Sequence, residues 1–146
     1  MQGDAVSAFL PLIFVLVGWF VVNYQANKRE DRKEARAMLD SAKKWIMEIA
    51  DNSIKYQCDD KPELALSIKS TLDVLETEFE RVPNFGVNGN PLMGRLIEFQ
   101  DAVTGGDFES ESRTRRTLAS VEVASVLATR NRLMAEIERQ YKAYYL

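Results

Sequence analysis

The sequence of 146 residues contains no histidine and only one cysteine, Cys58. Without histidine there is no imidazole to act as a general base, to complete a Ser-His-Asp triad or to bind a metal. A single cysteine allows neither an intramolecular disulfide nor a cysteine-rich zinc site. Because no grouping of carboxylates or nucleophiles takes the place of these residues, we expect a protein that is not an enzyme and that needs no cofactor and no metal.

The chain also lacks an excess of positive charge. Nineteen Lys and Arg residues stand against 22 Asp and Glu residues, which gives a net charge of −3 at pH 7. The corresponding pI is about 5.1. Proteins that bind nucleic acid through their overall charge are basic, so we expect no nucleic-acid partner.

Charged residues are absent from one long segment, residues 5–22 (AVSAFLPLIFVLVGWFVV). As an α-helix, such a segment spans roughly 27 Å, close to the thickness of the hydrocarbon core of a bilayer. Trp19 and Tyr24 lie near the C-terminal end of this segment, where aromatic rings favour the membrane–water interface. The residues before the segment are acidic, and no small-residue cleavage site follows it, so a signal peptide is disfavoured. The pattern predicts a retained transmembrane anchor at residues 1–26.

Basic residues follow the apolar run, and none precedes it. By the positive-inside rule, the chain crosses the inner (plasma) membrane once, with its N-terminus outside and residues 27–146 in the cytoplasm. On a helix, the first five basic residues cover an arc of about 140°, so we expect them to contact anionic lipid headgroups. The ordinary stop-transfer flank of a membrane anchor is the alternative interpretation. These residues are Lys28, Arg29, Arg32, Lys33 and Arg36.

Apolar residues recur with helical spacing through the rest of the chain, and short connections favour antiparallel neighbours. We therefore predict an all-α fold, in which an N-terminal single transmembrane helix precedes a small antiparallel bundle of about four helices in residues 27–146. No glycine or proline separates the first of these helices from the anchor, so the two are expected to be continuous. The predicted helices are 28–57, about 61–82, a short one from Asn90 to the stop at Thr104–Asp107, and a long final helix opened by Arg113, Arg115 and Arg116.

The apolar stripes of these helices define the expected core. In an up-and-down arrangement, the C-terminal end of the last helix and the loop at Phe85 would lie at the same, membrane-facing end of the bundle. The predicted core residues are Ala35, Leu39, Ala42, Ile46, Ile49, Tyr56, Leu64, Ile68, Leu72, Leu75, Phe79, Val82, Leu92, Leu96, Phe99, Val103, Ala119, Val123, Val126, Leu133, Ile137 and Tyr141.

The sequence predicts the general class of function and not a specific partner or process. The leading hypothesis is a non-enzymatic, membrane-tethered helical protein that acts at the inner leaflet by binding a protein partner or by forming homo-oligomers. Tyr144, Tyr145 and Leu146 end the chain with apolar and aromatic side chains, and we expect them to bind the partner. One alternative is a membrane-perturbing effector, such as a phage lysis, exclusion or anti-phage defence component. A weaker one is a sensor of a small ligand. The layout resembles that of many small single-pass proteins of bacteria and phages.

Overall fold

A computed structural model describes the backbone of residues 3–59 and 61–145, and the side chains of residues 13–59 and 61–145. Within these ranges the protein is all-α and contains no strand, which confirms the all-α part of the predicted fold class. The helices are α1 (Gly3–Cys58), α2 (Leu64–Arg81), a short 3₁₀ helix (Val82–Phe85), α3 (Asn90–Thr104) and α4 (Val121–Tyr145).

The chain divides into two compact units, the N-terminal unit (residues 1–34) and the bundle unit (residues 35–146). Helix α1 continues through this division without interruption. The predicted continuity of the first helix is therefore confirmed. The helix is unbroken because residues 23–58 contain neither glycine nor proline to interrupt the backbone hydrogen bonds.

No helix within the described part of the chain is both long enough and apolar enough to cross a membrane. The apolar run of residues 5–22 begins before residue 13, at which the described side chains start. The transmembrane anchor therefore stays a prediction.

The bundle unit is built around the stripes that the sequence predicts. Every predicted core residue is buried except Leu64, which is partly buried, and Ala119, which is exposed. Ala50 and the hydroxyl-bearing Ser53 and Thr129 are buried with them. Because burial of a large aliphatic or aromatic side chain contributes about 1.5–3 kcal/mol, this shared core provides most of the driving force for packing the helices.

Contacts at the two ends of the bundle unit show the antiparallel order. Arg36, near the start of the unit, pairs with Glu138 in the last part of α4 at 3.1 Å. At the other end, the Arg116 N–H, shortly before α4 begins, donates to the Gln57 carbonyl near the end of α1 at 2.8 Å. The α1 segment of the bundle and α4 therefore run in opposite directions, as expected for short connections.

The final helix begins later than the sequence predicts. It starts at Val121, and the preceding Ser120 accepts a hydrogen bond from the Val123 N–H through its hydroxyl at 3.3 Å, as an N-cap residue does. Glu122 lies in the first turn, where its negative charge interacts favourably with the positive end of the helix dipole. The prediction that arginines open this helix is therefore wrong. Basic side chains in the first turn would interact unfavourably with the positive end of the helix dipole. They lie instead in the connection between α3 and α4, at Arg113, Arg115 and Arg116.

Candidate functional site

The residues predicted to meet the membrane interface lie on the exposed surface of the N-terminal unit. Trp19 is 66% exposed and Tyr24 is 55% exposed. The Lys28 ammonium lies 4.9 Å from the centre of the Tyr24 ring, and Lys33 pairs with Glu30 at 2.9 Å. An aromatic ring and a lysine on adjacent turns are therefore in contact, a combination typical of membrane–water interfaces. The other basic residues predicted to contact lipid in this unit, Arg29 and Arg32, are also exposed.

Arg36 differs from the other four predicted headgroup contacts, because it belongs to the bundle unit. Its guanidinium pairs with Asp40 at 3.2 Å and with Glu138 at 3.1 Å, and it lies 5.1 Å from the centre of the Tyr141 ring. Lys43 also pairs with Glu138. Arg36 thus joins α1 to α4, a role that its place in a basic segment did not suggest. Its contact with lipid stays a prediction.

Tyr144 and Tyr145, two of the three predicted partner-binding residues, belong with Tyr141 to a C-terminal tyrosine cluster. Tyr145 lies between its neighbours, with its ring centre 5.0 Å from that of Tyr141 and 4.7 Å from that of Tyr144. The Tyr145 hydroxyl donates to the Phe85 carbonyl at 3.0 Å. The expected proximity of the chain end to the Phe85 loop is thereby confirmed. Leu146 lies outside the described residues.

Only one member of this cluster presents a large surface. Tyr141 is 8% exposed, Tyr145 is half-buried and Tyr144 is 56% exposed. The Tyr144 ring lies over Gly86, whose φ of 80° places it in the left-handed region. A Cβ atom on residue 86 would collide with this ring. The absence of a side chain on Gly86, which ends the 3₁₀ helix, therefore leaves the space that the Tyr144 ring occupies.

A second candidate site lies at the opposite end of the bundle unit, in the loop of residues 105–120. The Asp107 carboxylate accepts hydrogen bonds from the Thr114 N–H at 2.8 Å and from the Arg116 guanidinium at 3.1 Å. Arg116 also pairs with Glu122 at 3.1 Å. The Thr114 N–H is the main cause, with Arg116 adding to it, of an Asp107 pKa below the usual value of 3.8. Asp107 therefore closes the loop on itself and connects it, through Arg116, to α4.

Aromatic and backbone contacts hold the same loop against α1. The Phe108 ring lies 4.8 Å from that of Tyr56, and the Arg113 guanidinium lies 4.0 Å from the Tyr56 ring centre. The Glu109 N–H donates to the Tyr56 hydroxyl at 2.9 Å. Glu109 has a φ of 62°, which is uncommon for a residue with a side chain. Its carboxylate pairs with Lys69 at 3.0 Å, so two contacts hold it in this strained conformation.

A cavity of about 310 Å³ lies between this loop and the ends of α1, α3 and α4. Its volume is at the lower end of the range typical of small-molecule sites. Arg116 in its wall is paired with Asp107 and Glu122, while Asp101 is exposed at its edge. The wall therefore consists largely of groups that hold the loop in place. The remaining lining residues include Ala102, Val103, Phe108, Val121 and Ser125.

We expect Asp107→Asn to release the loop while leaving the rest of the bundle folded. The lowered pKa means that the ionised carboxylate stabilises the docked loop above pH 3.8, and that this contribution is lost as the pH falls through the lower native value. At a pH below the native pKa of Asp107, the wild-type protein should therefore resemble the variant. Amide hydrogen exchange at Thr114 and Arg116 measures the release.

Asp101→Asn is the matched control, since Asp101 lines the same cavity at an exposed position of α3. It should leave exchange at Thr114 and Arg116 unchanged. Equal protection of these amides in wild type and Asp107→Asn would show that the carboxylate does not hold the loop.

The role of Asp107 in closing the loop is not predictable from the sequence, in which residues 104–107 indicate only a helix stop. In the folded loop, Arg116 pairs with both Asp107 and Glu122. The spacing of Asp107, Thr114 and Arg116 carries no periodic signal, so only the folded loop brings them together. Among the residues that the structure describes, no group of three or more acidic or cysteine side chains is placed to hold a metal ion.

No known protein family, curated protein sequence or solved structure matches this chain.

Proposed function

We propose that this chain is a non-enzymatic, membrane-tethered helical protein that presents its bundle unit to a protein partner at the inner leaflet. The observation that carries the proposal is the surface of α1 in residues 13–22. Nine of these ten residues have large apolar side chains, and each of the nine is between 48% and 70% exposed. The tenth is Gly18, which has open space around it.

Such a surface is unfavourable in water. Because the exposed apolar residues are consecutive, they cover the whole circumference of the helix and not one stripe. A helix that is apolar on all sides is stable inside a protein core or a membrane, where each large side chain gains about 1.5–3 kcal/mol by leaving water. The uncharged run of residues 5–22 and the basic residues after it support insertion in a bilayer with the bundle unit in the cytoplasm.

The bundle unit supports the second half of the proposal, a role in binding. It has its own continuous core, in which apolar residues of all four helices take part. Such a unit can fold at the membrane surface without lipid around it. The absence of histidine from the chain and the single half-buried Cys58 leave binding as a better explanation than catalysis.

Cysteine labelling in intact and permeabilised cells tests the topology. In a Cys58→Ser background, we expect Gln2→Cys to react with an impermeant maleimide in intact cells, and Ala119→Cys to react only after permeabilisation. Ala119 is exposed in the loop before α4 and small, so the substitution preserves the fold.

Removal of residues 1–26 provides the complementary result. We expect the full chain to stay in the membrane pellet after carbonate extraction, and the truncated chain to move to the supernatant with its helical circular dichroism preserved. Reaction of residue 119 in intact cells would reverse the proposed orientation. Extraction of the full chain by carbonate would refute the anchor.

Replacement of residues 5–22 by an unrelated transmembrane helix separates the two functional alternatives. A tethered binding protein should still bind its partner after this replacement, whereas a membrane-perturbing effector should lose its action.

A further inference from the structure

We propose that the cavity between the loop of residues 105–120 and the ends of α1, α3 and α4 binds a small organic amine. The ligand carries a protonated amine at one end and an apolar body at the other. All residues that line the cavity belong to the bundle unit. The proposal therefore goes beyond the membrane tether and does not depend on it.

Apolar side chains in the cavity wall suit the body of such a ligand. Ala102 and Val103 come from the end of α3, Phe108 from the loop and Val121 from the start of α4. Among the large apolar side chains that the structure describes, Val121 has the largest exposed fraction, 82%. An apolar group bound beside it removes this surface from water, which favours binding.

The two arginines of the wall are engaged in contacts within the protein. Arg116 pairs with Asp107 and Glu122, each at 3.1 Å. The Arg113 guanidinium lies over an aromatic ring of α1, 4.0 Å from the ring centre. The Thr114 N–H donates to Asp107 as well. An anionic ligand would have to compete with carboxylates that these donors already hold.

The groups of the wall that remain available are acceptors. Asp101 is exposed at the edge of the cavity and forms no ion pair with any side chain that the structure describes. Gln57 also lines the cavity. Its Nε2 donates to the Ser53 hydroxyl at 3.3 Å, whereas its Oε1 is buried and receives no hydrogen bond from the described residues. Since buried carbonyl oxygens are rarely left without a donor, the ligand that matches this wall is one that donates.

The size of the cavity limits the class of ligand further. Its volume of about 310 Å³ accommodates a single ring or a short chain that carries one amine. A bare metal ion does not fit this wall, because hard cations require several oxygen ligands and the described residues provide no such group.

An NMR titration of the full chain in dodecyl maltoside tests the proposal with probes of similar size. Phenethylammonium has both the charge and the apolar ring, phenethyl alcohol has the ring without the charge, and hydrocinnamate has the opposite charge. We expect phenethylammonium to cause saturable shifts of the amide signals of Gly105, Gly106 and Ser125, which line the cavity. Phenethyl alcohol should bind several-fold more weakly, and hydrocinnamate should cause no saturable shift.

Asp101→Asn is expected to weaken phenethylammonium binding several-fold, because it removes the negative charge at the cavity edge and leaves the loop docked. Asp73→Asn is the matched control, since Asp73 is exposed on α2 and does not line the cavity. It should leave the affinity unchanged. Equal affinity of the wild type and Asp101→Asn would contradict the proposed role of the carboxylate.

Other results would overturn the proposal as a whole. If no probe causes saturable shifts at the cavity amides, the cavity does not bind a ligand of this class. Tighter binding of hydrocinnamate would show that the arginines select an anion. Equal shifts throughout the chain would show that the amine enters the micelle and not the cavity. None of these results affects the proposed anchor, which carbonate extraction and cysteine labelling test separately.

Discussion

Replacing Phe99 with alanine is expected to lower the free energy of unfolding by about 3–5 kcal/mol. Phe99 is fully buried in α3, which packs against both α2 and α4. The substitution removes the apolar contacts of the ring and leaves a cavity that three helices cannot fill by small movements. Since small domains are stable by only about 5–15 kcal/mol, a large part of the native stability should be lost.

Ile97→Ala is the control on the same helix. Ile97 is 54% exposed, so its truncation should change the free energy of unfolding by no more than about 0.5 kcal/mol. Urea titration of the full chains in detergent, followed by circular dichroism at 222 nm, measures both values. Similar midpoints for the two variants would show that α3 does not pack as the structure has it.

Gly105→Ala is expected to destabilise the protein by about 1–3 kcal/mol, because it forces atoms together at the end of α3. A Cβ atom at residue 105 would collide with the carbonyl oxygen of Asp101, which belongs to the last turn of the helix. A backbone atom cannot rotate away as a flexible side chain can. The end of α3 would have to shift, and the loop of residues 105–120 would shift with it.

Gly94→Ala is the matched substitution, with an opposite expected sign. Gly94 lies inside α3 with nothing near its missing Cβ atom, so alanine should stabilise the helix by up to about 1 kcal/mol through its higher helix propensity. Thermal unfolding of both variants checks the pair. Stabilisation by Gly105→Ala would mean that the backbone at this junction is more open than the structure describes.

The helical pattern predicts the core of the bundle unit closely. Leu92, Leu96, Phe99 and Val103 recur every three or four residues, and all four are buried on one face of α3. Such positions are predictable because a helix places them on one side whatever it packs against. The same logic fails at Ala119, which continues the spacing of α4 but lies before Ser120, the residue that caps the helix. Periodicity does not mark where a helix begins, and the capping hydroxyl does.

The candidate sites were less predictable than the core. The exposed tyrosine at residue 144 follows from the aromatic chain end, but the half-burial of Tyr145 depends on its hydrogen bond to Phe85, 60 residues earlier. Arg36 is part of a basic segment in the sequence, whereas in the fold it pairs with Glu138, 102 residues away. Neither contact leaves a local pattern, since each depends on how two helices are aligned.

The sequence by itself determined the helical class, the continuity of α1 and the buried stripes, because backbone propensity and side-chain period act over short distances. It also excluded chemistry that requires an imidazole, because the sequence contains no histidine. Only the tertiary structure decided that Asp107 closes the loop before α4, that Gly86 seats Tyr144 and that Arg36 joins α1 to Glu138. These arrangements arise from contacts between residues that become neighbours only when the helices pack, and packing depends on the whole core at once.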